Sequence, residues 1–471
     1  MKTRFILTIL IFILTSSLKA QQIDFSGIWT GKLSPTNTVK LTIVFNLQKD
    51  EAGKYTATMD SPDQGAKGIP TESVTIKKDS ILIKVPVIAG SFEGKIFTDS
   101  LKIEGKWKQS GMNLDLTVYK VDKVEEVKRP QEPKEPFPYK VEEVTFENKT
   151  HKLTLAGTLT MPLEGSNYTT VIMITGSGGQ NRDEELLGHK PFLVIADYLT
   201  RNGYAVLRYD DRGIGESTGN YLTATTEDFA ADALSAVEFL KTRNEINHSM
   251  IGMIGHSEGG IIAPMAAVKS GDVAFIVLMA GIGIPGDSIL YLQGELIQRA
   301  EGTSEEEIRE TARVQRKLFK MIKEISDDEI LKSKIKEIFW EEYALLSDED
   351  KSKMGDPEVY LNTQMKTTTS PWFKYFVKYD PVPVLEKVKC PVLAINGEKD
   401  LQVPPKENLS AIESALKRGG NKNYETKMLP GLNHLFQTTS TGKISEYGQI
   451  EETISPLALE TMLNWLKRLT K

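Results

Sequence analysis

Two different hydrophobic patterns follow one another along the chain. Between about residues 23 and 121, short runs alternate apolar with polar residues and are separated by Gly, Asp, Asn and Pro, as at 41–47 and 114–118. This pattern is typical of antiparallel β-structure. From about residue 141 onward, short apolar runs such as 171–174 alternate with segments of helical spacing such as 228–241. The sequence therefore predicts an all-β unit followed by a doubly wound, mostly parallel α/β sheet.

Two further segments interrupt this order. Roughly 110 residues separate the strand that ends near Met279 from the apolar run 391–396, far more than one crossover requires. Residues 293–345 carry Glu, Lys, Leu and Ile at helical spacing, so we predict a helical cap at about 285–378. Prolines among charged residues at 130–138 predict a stiff linker. The predicted units are a barrel-like β domain at 21–122, a linker at 123–140 and an α/β domain at 141–471.

One short motif indicates chemistry. The sequence GHSEG at 255–259 lies between the apolar run 250–254 and a small-residue stretch at 260–267, so a strand, a tight turn and a helix are expected around Ser257. The glycines let the strand approach the helix and let the serine adopt a strained backbone conformation. This is the context of a nucleophile elbow, so we predict that Ser257 is a nucleophile and that the His256 side chain points away from it.

A serine hydroxyl needs a neighbouring base, usually a histidine that a carboxylate holds in place. The chain has five histidines, and His434, in a loop after a late strand candidate, is the one whose position suits a base. The acid is expected between the serine and the histidine in chain order. Asp400 follows the buried-strand candidate 391–396 and is our choice, with Glu398 and Asp380 as competitors.

Acyl transfer also requires donors that face the developing oxyanion. One candidate is the backbone N–H of Glu258, and the other is the N–H of Ser177, in the glycine-rich loop after the strand candidate 171–175. The glycines of this loop would also suit a phosphate cradle. However, the chain has neither a G-x-x-x-x-G-K-[ST] motif nor a dinucleotide fingerprint. An oxyanion hole is therefore the favoured interpretation.

Together these motifs resemble the α/β-hydrolase superfamily, and more narrowly the secreted serine aminopeptidase-like and carboxylesterase-like hydrolases of bacteria. The resemblance covers about residues 140–471 and rests on the segments 175–178, 209–217, 255–259, 397–400 and 431–434. It departs at Thr175, where many relatives have a histidine. It implies a central, mostly parallel sheet flanked by helices. The preceding β unit resembles the lipocalin-like or small-barrel modules of some secreted hydrolases.

The resemblance also implies that the cap covers the nucleophile and shapes the substrate pocket. The most aromatic stretch of the predicted cap is 370–376, in which Trp372 and Phe373 are candidate substrate contacts. The same aromatic residues would equally serve to pack the cap on the core. The acidic cap residues Glu341 and Glu342 are candidates for binding a substrate ammonium group in an aminopeptidase.

Composition and the amino-terminal residues bear on location and partners. With 40% hydrophobic and 26% charged residues and a net charge of −6, the chain fits a soluble globular protein without the basic footprint of nucleic-acid binding. Lys2 and Arg4 precede an apolar run at 5–14, which predicts a cleavable signal peptide at 1–20 and a periplasmic or secreted protein. The run is too short to span a bilayer, so no membrane span is expected.

The remaining chemistry is sparse. The only cysteine, Cys390, precludes an intramolecular disulfide and a lipid-attached cysteine after the signal peptide. The five histidines are scattered and no Asp-rich loop is present, so neither a metal nor another cofactor is predicted.

The sequence therefore predicts a periplasmic or secreted serine hydrolase that cleaves a small-molecule or glycan carboxylic ester through an acyl-enzyme. A serine aminopeptidase that acts on amides is one alternative, because the arrangement of serine, acid and histidine does not distinguish esters from amides. A non-catalytic binding protein on a hydrolase fold is another. The oligomeric state stays open, as does the role of the β domain, which is either structural or a binding module for carbohydrate or the cell surface.

Overall fold

The computed structural model describes residues 24–34, 40–124 and 127–470. The predicted signal peptide at 1–20 lies outside these residues. Within the described part of the chain, no helix combines the length and the apolar character that crossing a membrane demands.

The amino-terminal unit is an antiparallel half-barrel. Its strands among the described residues are β1 (Gly27–Leu33), β2 (Leu41–Lys49), β3 (Tyr55–Ser61), β4 (Ala66–Pro70), β5 (Ser73–Lys77), β6 (Ser80–Val85), β7 (Gly90–Phe97), β8 (Lys102–Gln109) and β9 (Met112–Val121). They form one sheet in the order β4-β3-β2-β1-β9-β8-β7-β6-β5. Alternate side chains face inward, so that Trp29, Phe45, Phe92 and Trp107 are buried together in one apolar cluster.

Hydrogen bonds join the linker and the half-barrel to the rest of the molecule. The Arg129 guanidinium, in the predicted linker, donates to the backbone carbonyls of Gly188 and Gly448 at 2.9 and 2.8 Å. At the other end, the turn between β8 and β9 meets the helical insertion, where the Asp356 N–H donates to the Gly111 carbonyl at 3.1 Å. The linker therefore lies against the α/β unit.

The second unit is a mixed α/β sheet. Its strands among the described residues are β10 (Lys140–Asn148), β11 (Leu153–Met161), β12 (Tyr168–Ile174), β13 (Ala205–Tyr209), β14 (Ile246–His256), β15 (Phe275–Met279), β16 (Val392–Gly397) and β17 (Tyr424–Leu429). The order is β10-β11-β13-β12-β14-β15-β16-β17. The pairs β10/β11 and β11/β13 are antiparallel, and the others are parallel. The five residues of β15 and the six of β16 are all buried, as expected for strands covered on both faces.

Helices flank the sheet and form the insertion. Those outside the insertion are α1 (Pro191–Arg201), α2 (Thr226–Leu240), α3 (Gly259–Lys269), α10 (Val382–Leu385), α11 (Pro405–Arg418), α12 (Ile444–Tyr447) and α13 (Pro456–Leu469). Between β15 and β16 lie α4 (Gly286–Ala300), α5 (Glu305–Glu324), α6 (Asp328–Leu345), α7 (Asp348–Met354), α8 (Pro357–Thr368) and α9 (Pro371–Lys378). We call these six helices the cap, and they have an apolar cluster of their own around Phe319 and Leu331.

The predicted fold class, an all-β unit before a mostly parallel α/β sheet with a helical insertion, is confirmed. Since parallel strands end at the same edge, the loops after β12, β14, β16 and β17 meet there. All the sequence-predicted site residues outside the cap follow these four strands.

Candidate active site

The turn that carries Ser257 joins β14 directly to α3. Ser257 has a φ of 53°, in the left-handed region that residues with a side chain rarely adopt. A Cβ on Gly255 would lie 2.0 Å from the Gly259 carbonyl oxygen, and one on Gly259 would lie 2.3 Å from the Ile174 carbonyl oxygen. Both glycines are therefore required by the close approach of strand and helix, and the serine side chain is presented at the sheet edge.

His434 and Asp400 lie together in the adjacent loops. His434 Nδ1 is 2.8 Å from Asp400 Oδ2, and both side chains are buried. The other oxygen of Asp400 accepts the backbone N–H groups of Gln402 and Val403, each at 2.8 Å. These donors fix the carboxylate, which in turn orients the imidazole so that Nε2 is the nitrogen left for a reacting proton.

The competing carboxylates lie elsewhere. Glu398 accepts the N–H of Gly431 at 2.9 Å, on the exposed side of the loop that precedes His434. Asp380 accepts the N–H of Val382 at 3.0 Å at the start of α10. Of the three candidates, Asp400 is the one that the structure brings to His434.

The loop after β12 is held from several sides. Thr175 Oγ1 lies 2.8 Å from Asp211 Oδ1, within hydrogen-bond distance. The N–H of Gln180 donates to Asp211 Oδ2 (2.8 Å), that of Gly176 to Glu184 Oε1 (2.8 Å) and that of Gly178 to the Tyr221 hydroxyl (3.1 Å). Thr175, the point of departure from the family pattern, thus contributes a bond of its own. Within the described residues, neither the Ser177 N–H nor the Glu258 N–H has a protein acceptor, which is the state an oxyanion hole requires.

Burial changes the protonation of Asp211. Removal from water raises the pKa of this carboxyl to about 8, against the opposing hydrogen bonds from Gln180 and Thr175. Near neutral pH the group is therefore largely protonated. A protonated Asp211 still accepts from the Gln180 N–H with one oxygen, and it donates to the Thr175 hydroxyl with the other.

The residue after Ser257 connects the elbow to the cap. Glu258 is buried, which raises the pKa of its carboxyl, and its Oε1 accepts from Thr226 Oγ1 at 2.7 Å and from the Trp372 indole at 2.8 Å. Trp372 belongs to α9 and stacks on Phe376 one turn later. The first helix after the elbow and the last helix of the cap are therefore joined across the site.

A cavity of about 250 Å³ opens at Ser257 and His434. Its lining residues are Gly176, Ser177, Gln180, Glu184, Leu186, His256, Ser257, Ile282, Ile289, Leu290, Gln293, Trp372, Phe376, Gln402, Val403, His434 and Leu435. Of the two candidate substrate contacts, Trp372 lines the cavity, whereas Phe373 packs inside the cap with its ring 5.9 Å from that of Phe319. Glu342 pairs with Arg313 on the cap, and neither it nor Glu341 lines the cavity.

Two family models match successive parts of this α/β unit. One described as "Serine aminopeptidase, S33" matches residues 191–342, and one described as "Prolyl oligopeptidase family" matches residues 348–452. The first range includes Ser257, and the second includes Asp400 and His434. The chain belongs to the α/β-hydrolase superfamily.

Individual relatives of this α/β-hydrolase cover parts of it. "Esterase EstD" of Thermotoga maritima is 27% identical over 301 residues, which is 64% of this chain and 62% of EstD, so the match spans less than two thirds of that relative. An "Acyl transferase" of Photorhabdus luminescens is 31% identical over a match that covers 26% of this chain and 37% of that protein. Among solved structures, the α/β-hydrolase GrgF from Penicillium sp. sh18 is 19% identical with a TM-score of 0.43, covering 70% of this chain and 98% of GrgF.

Sequence reasoning about this α/β-hydrolase missed two groups. Phe376 lines the cavity beside Trp372, and the signal was their i, i+4 spacing on one helix face. His256 was expected to point away from the serine, but its ring lines the same cavity and lies 4.8 Å from the His434 ring, centroid to centroid. Its partner Glu184 lies 72 residues earlier in the chain, and no local sequence pattern predicts that contact.

Proposed function

We propose that this α/β-hydrolase cleaves carboxylic esters through an acyl-enzyme on Ser257. His434 takes the hydroxyl proton as Ser257 attacks the ester carbonyl, and Asp400 holds the imidazole in the required orientation. His434 then gives that proton to the departing alkoxide. In the second half of the reaction, His434 deprotonates a water that attacks the acyl carbon, and it returns this proton to Ser257 Oγ as the acid leaves. The observation that carries the proposal is the 2.8 Å bond between buried Asp400 and His434 at the cavity of an elbow serine with φ of 53°.

The negative charge of the tetrahedral intermediate has two candidate donors. The N–H of Glu258 lies at the start of α3, where the helix dipole adds to its effect, and the N–H of Ser177 comes from the loop after β12. The bonds that hold this loop support the role, because donors that are already oriented need not reorganise during the reaction.

The lining of the cavity supports an ester rather than an aminopeptidase substrate. Its carboxylate, Glu184, accepts from the Gly176 N–H and faces His256, so it is already engaged by protein groups. The remaining polar side chains around the pocket include the amides of Gln180, Gln293 and Gln402, which suit the neutral oxygens of an ester. The proposed substrate is a small-molecule or glycan ester with a short acyl or aryl acid part, as a cavity of about 250 Å³ admits.

The test compares two substrate classes. Chromogenic short-chain acyl esters and aminoacyl anilides are offered to the protein, to Ser257→Ala and to Ser249→Ala, an exposed serine on the same strand β14. Ester turnover that survives in Ser249→Ala and disappears in Ser257→Ala is expected. Serine-dependent turnover of the anilides alone would establish the aminopeptidase alternative, and unchanged turnover in Ser257→Ala would overturn the proposed mechanism.

The proposed place of action is the periplasm or the extracellular medium. The proposal rests on the basic, then apolar, amino-terminal residues 2–14. Cell fractionation together with amino-terminal sequencing of the exported protein tests it, and a protein found in the cytoplasm with residues 1–20 retained would contradict it.

A further inference from the structure

A second imidazole and carboxylate lie beside the proposed catalytic residues and have no part in the mechanism above. His256 Nδ1 is 3.0 Å from Glu184 Oε1, and His256 Nε2 is 3.0 Å from the backbone oxygen of His434. Both residues are buried, with 5% of the surface of His256 and 2% of that of Glu184 exposed. Glu184 also has a φ of 51°, an uncommon backbone conformation of the kind that concentrates at functional sites.

The hydrogen-bond partners determine the charge of His256. A backbone carbonyl only accepts, so Nε2 must carry a proton. Nδ1 faces the carboxylate of Glu184, whose charge favours a second proton there. Burial alone lowers the pKa of His256, but the charge and hydrogen bond of Glu184, the His434 carbonyl and the charge of Asp400 raise it overall. The other ring packed here, Phe436, carries no charge and lies 6.3 Å away.

The same pair reaches three loops of the site. Glu184 Oε1 accepts the N–H of Gly176, the residue before the proposed oxyanion donor, at 2.8 Å. His256 precedes the nucleophile, and its Nε2 holds the backbone of His434. We propose that Glu184 and a cationic His256 form a positioning pair, which fixes the Gly176 loop and the His434 backbone relative to Ser257. This inference rests on the proposed hydrolase function.

The His256 ring also lies beside the ring of the proposed base. The two ring centroids are 4.8 Å apart, and each imidazole has its own carboxylate partner, Glu184 for His256 and Asp400 for His434.

The first test measures the charge itself. The chain has five histidines, so nitrogen NMR of the full-length protein with labelled histidine resolves each ring, and His256→Gln assigns the signal of interest. We expect both ring nitrogens of His256 to be protonated at pH 7, and to lose that state in Glu184→Gln. A neutral His256 in the unmodified protein would overturn the inference, whether or not the protein hydrolyses esters.

The second test measures the consequence for turnover. Glu184→Gln and His256→Gln are compared with His248→Gln, an exposed histidine whose Nε2 also meets a backbone carbonyl, that of Arg243. We expect a fall in kcat on the order of 100-fold with little change in KM, because misplacement of reacting groups by about 1 Å costs that much.

Circular dichroism checks that each variant folds. If His256→Gln does not fold, Glu184→Gln alone is compared with His248→Gln. A kcat and a KM of Glu184→Gln equal to those of His248→Gln would overturn the positioning role. If the unmodified enzyme shows no Ser257-dependent turnover, the proposed function fails instead, and the histidine spectrum still decides whether the charged pair exists.

Discussion

The indole N–H of Trp372 donates to Glu258 Oε1 at 2.8 Å, and this bond ties the last cap helix to the residue after Ser257. The carboxylate accepts from Thr226 at the same oxygen, so the cap, the elbow and the start of α2 share one buried acceptor. The side chain of Glu258 therefore fixes the last cap helix beside the cavity.

Trp372→Phe removes this donor and part of the cavity wall. We expect KM for short acyl esters to rise several-fold and the free energy of unfolding to fall by about 1 kcal/mol, the usual contribution of one buried hydrogen bond. Steady-state kinetics and denaturant titration measure both. Trp340→Phe, on the outer side of α6 with 38% exposure, is the control. Identical KM values for the two variants would exclude a role for Trp372 in substrate binding.

Asp400→Asn keeps the shape of the side chain but removes its charge. The imidazole of His434 then loses the partner that fixes its tautomer, and kcat should fall by about four orders of magnitude, as is usual when such an aspartate is neutralised. Asp380→Asn, at the start of α10, should retain full activity. A comparable loss in both variants would mean that Asp400 is not the acid of the site.

Gly259→Ala places a methyl group 2.3 Å from the Ile174 carbonyl oxygen. Strand β12 and helix α3 must separate to admit it, so we expect a loss of about 1–3 kcal/mol in stability and a large loss of ester turnover. Gly271→Ala, where a Cβ meets nothing within 4 Å, is the matched control. The midpoints of thermal unfolding of the two variants are compared. Equal midpoints would contradict the close approach of β12 and α3 at Gly259.

Asp211 should make stability depend on pH in an unusual direction. Its folded-state pKa of about 8 exceeds the value of 3.8 for the free carboxyl, so the folded chain binds the proton more tightly. The stabilisation is full below about pH 4 and is lost as pH rises through 8, with a slope of up to about 1.4 kcal/mol per pH unit.

Asp211→Asn mimics the protonated carboxyl, because its oxygen accepts from the Gln180 N–H and its amide donates to the Thr175 hydroxyl. The free energy of unfolding of this variant is subtracted from that of the unmodified protein at each pH from about 4 to about 9. The difference isolates the contribution of Asp211 protonation to stability. A difference that stays constant with pH would show that Asp211 is ionised throughout.

Local sequence was sufficient for the fold class and for the elbow. Alternation of apolar and polar residues marks the half-barrel, and the two glycines around Ser257 follow from the sterics of a strand that turns directly into a helix. Chain order and strand position admit both Glu398 and Asp400, because the two residues follow the same strand. The structure separates them, since Asp400 meets His434 whereas Glu398 accepts from Gly431.

Contacts between distant segments could not be obtained in this way. Trp372 meets Glu258 across 114 residues, and His256 meets Glu184 across 72. The direction of the aromatic side chains in α9 also depends on helix phase. Trp372 and Phe376 share the cavity face, while Phe373, one position on from Trp372, is turned into the cap.

The central claim, a covalent acyl intermediate on Ser257, is tested most directly by intact-protein and peptide mass spectrometry after rapid quenching with a chromogenic ester. We predict one acyl group per chain, located on the peptide that contains Ser257 and absent in Ser257→Ala, while His434→Gln acylates far more slowly. Acylation at another residue, or serine-independent turnover without any adduct, would contradict the mechanism.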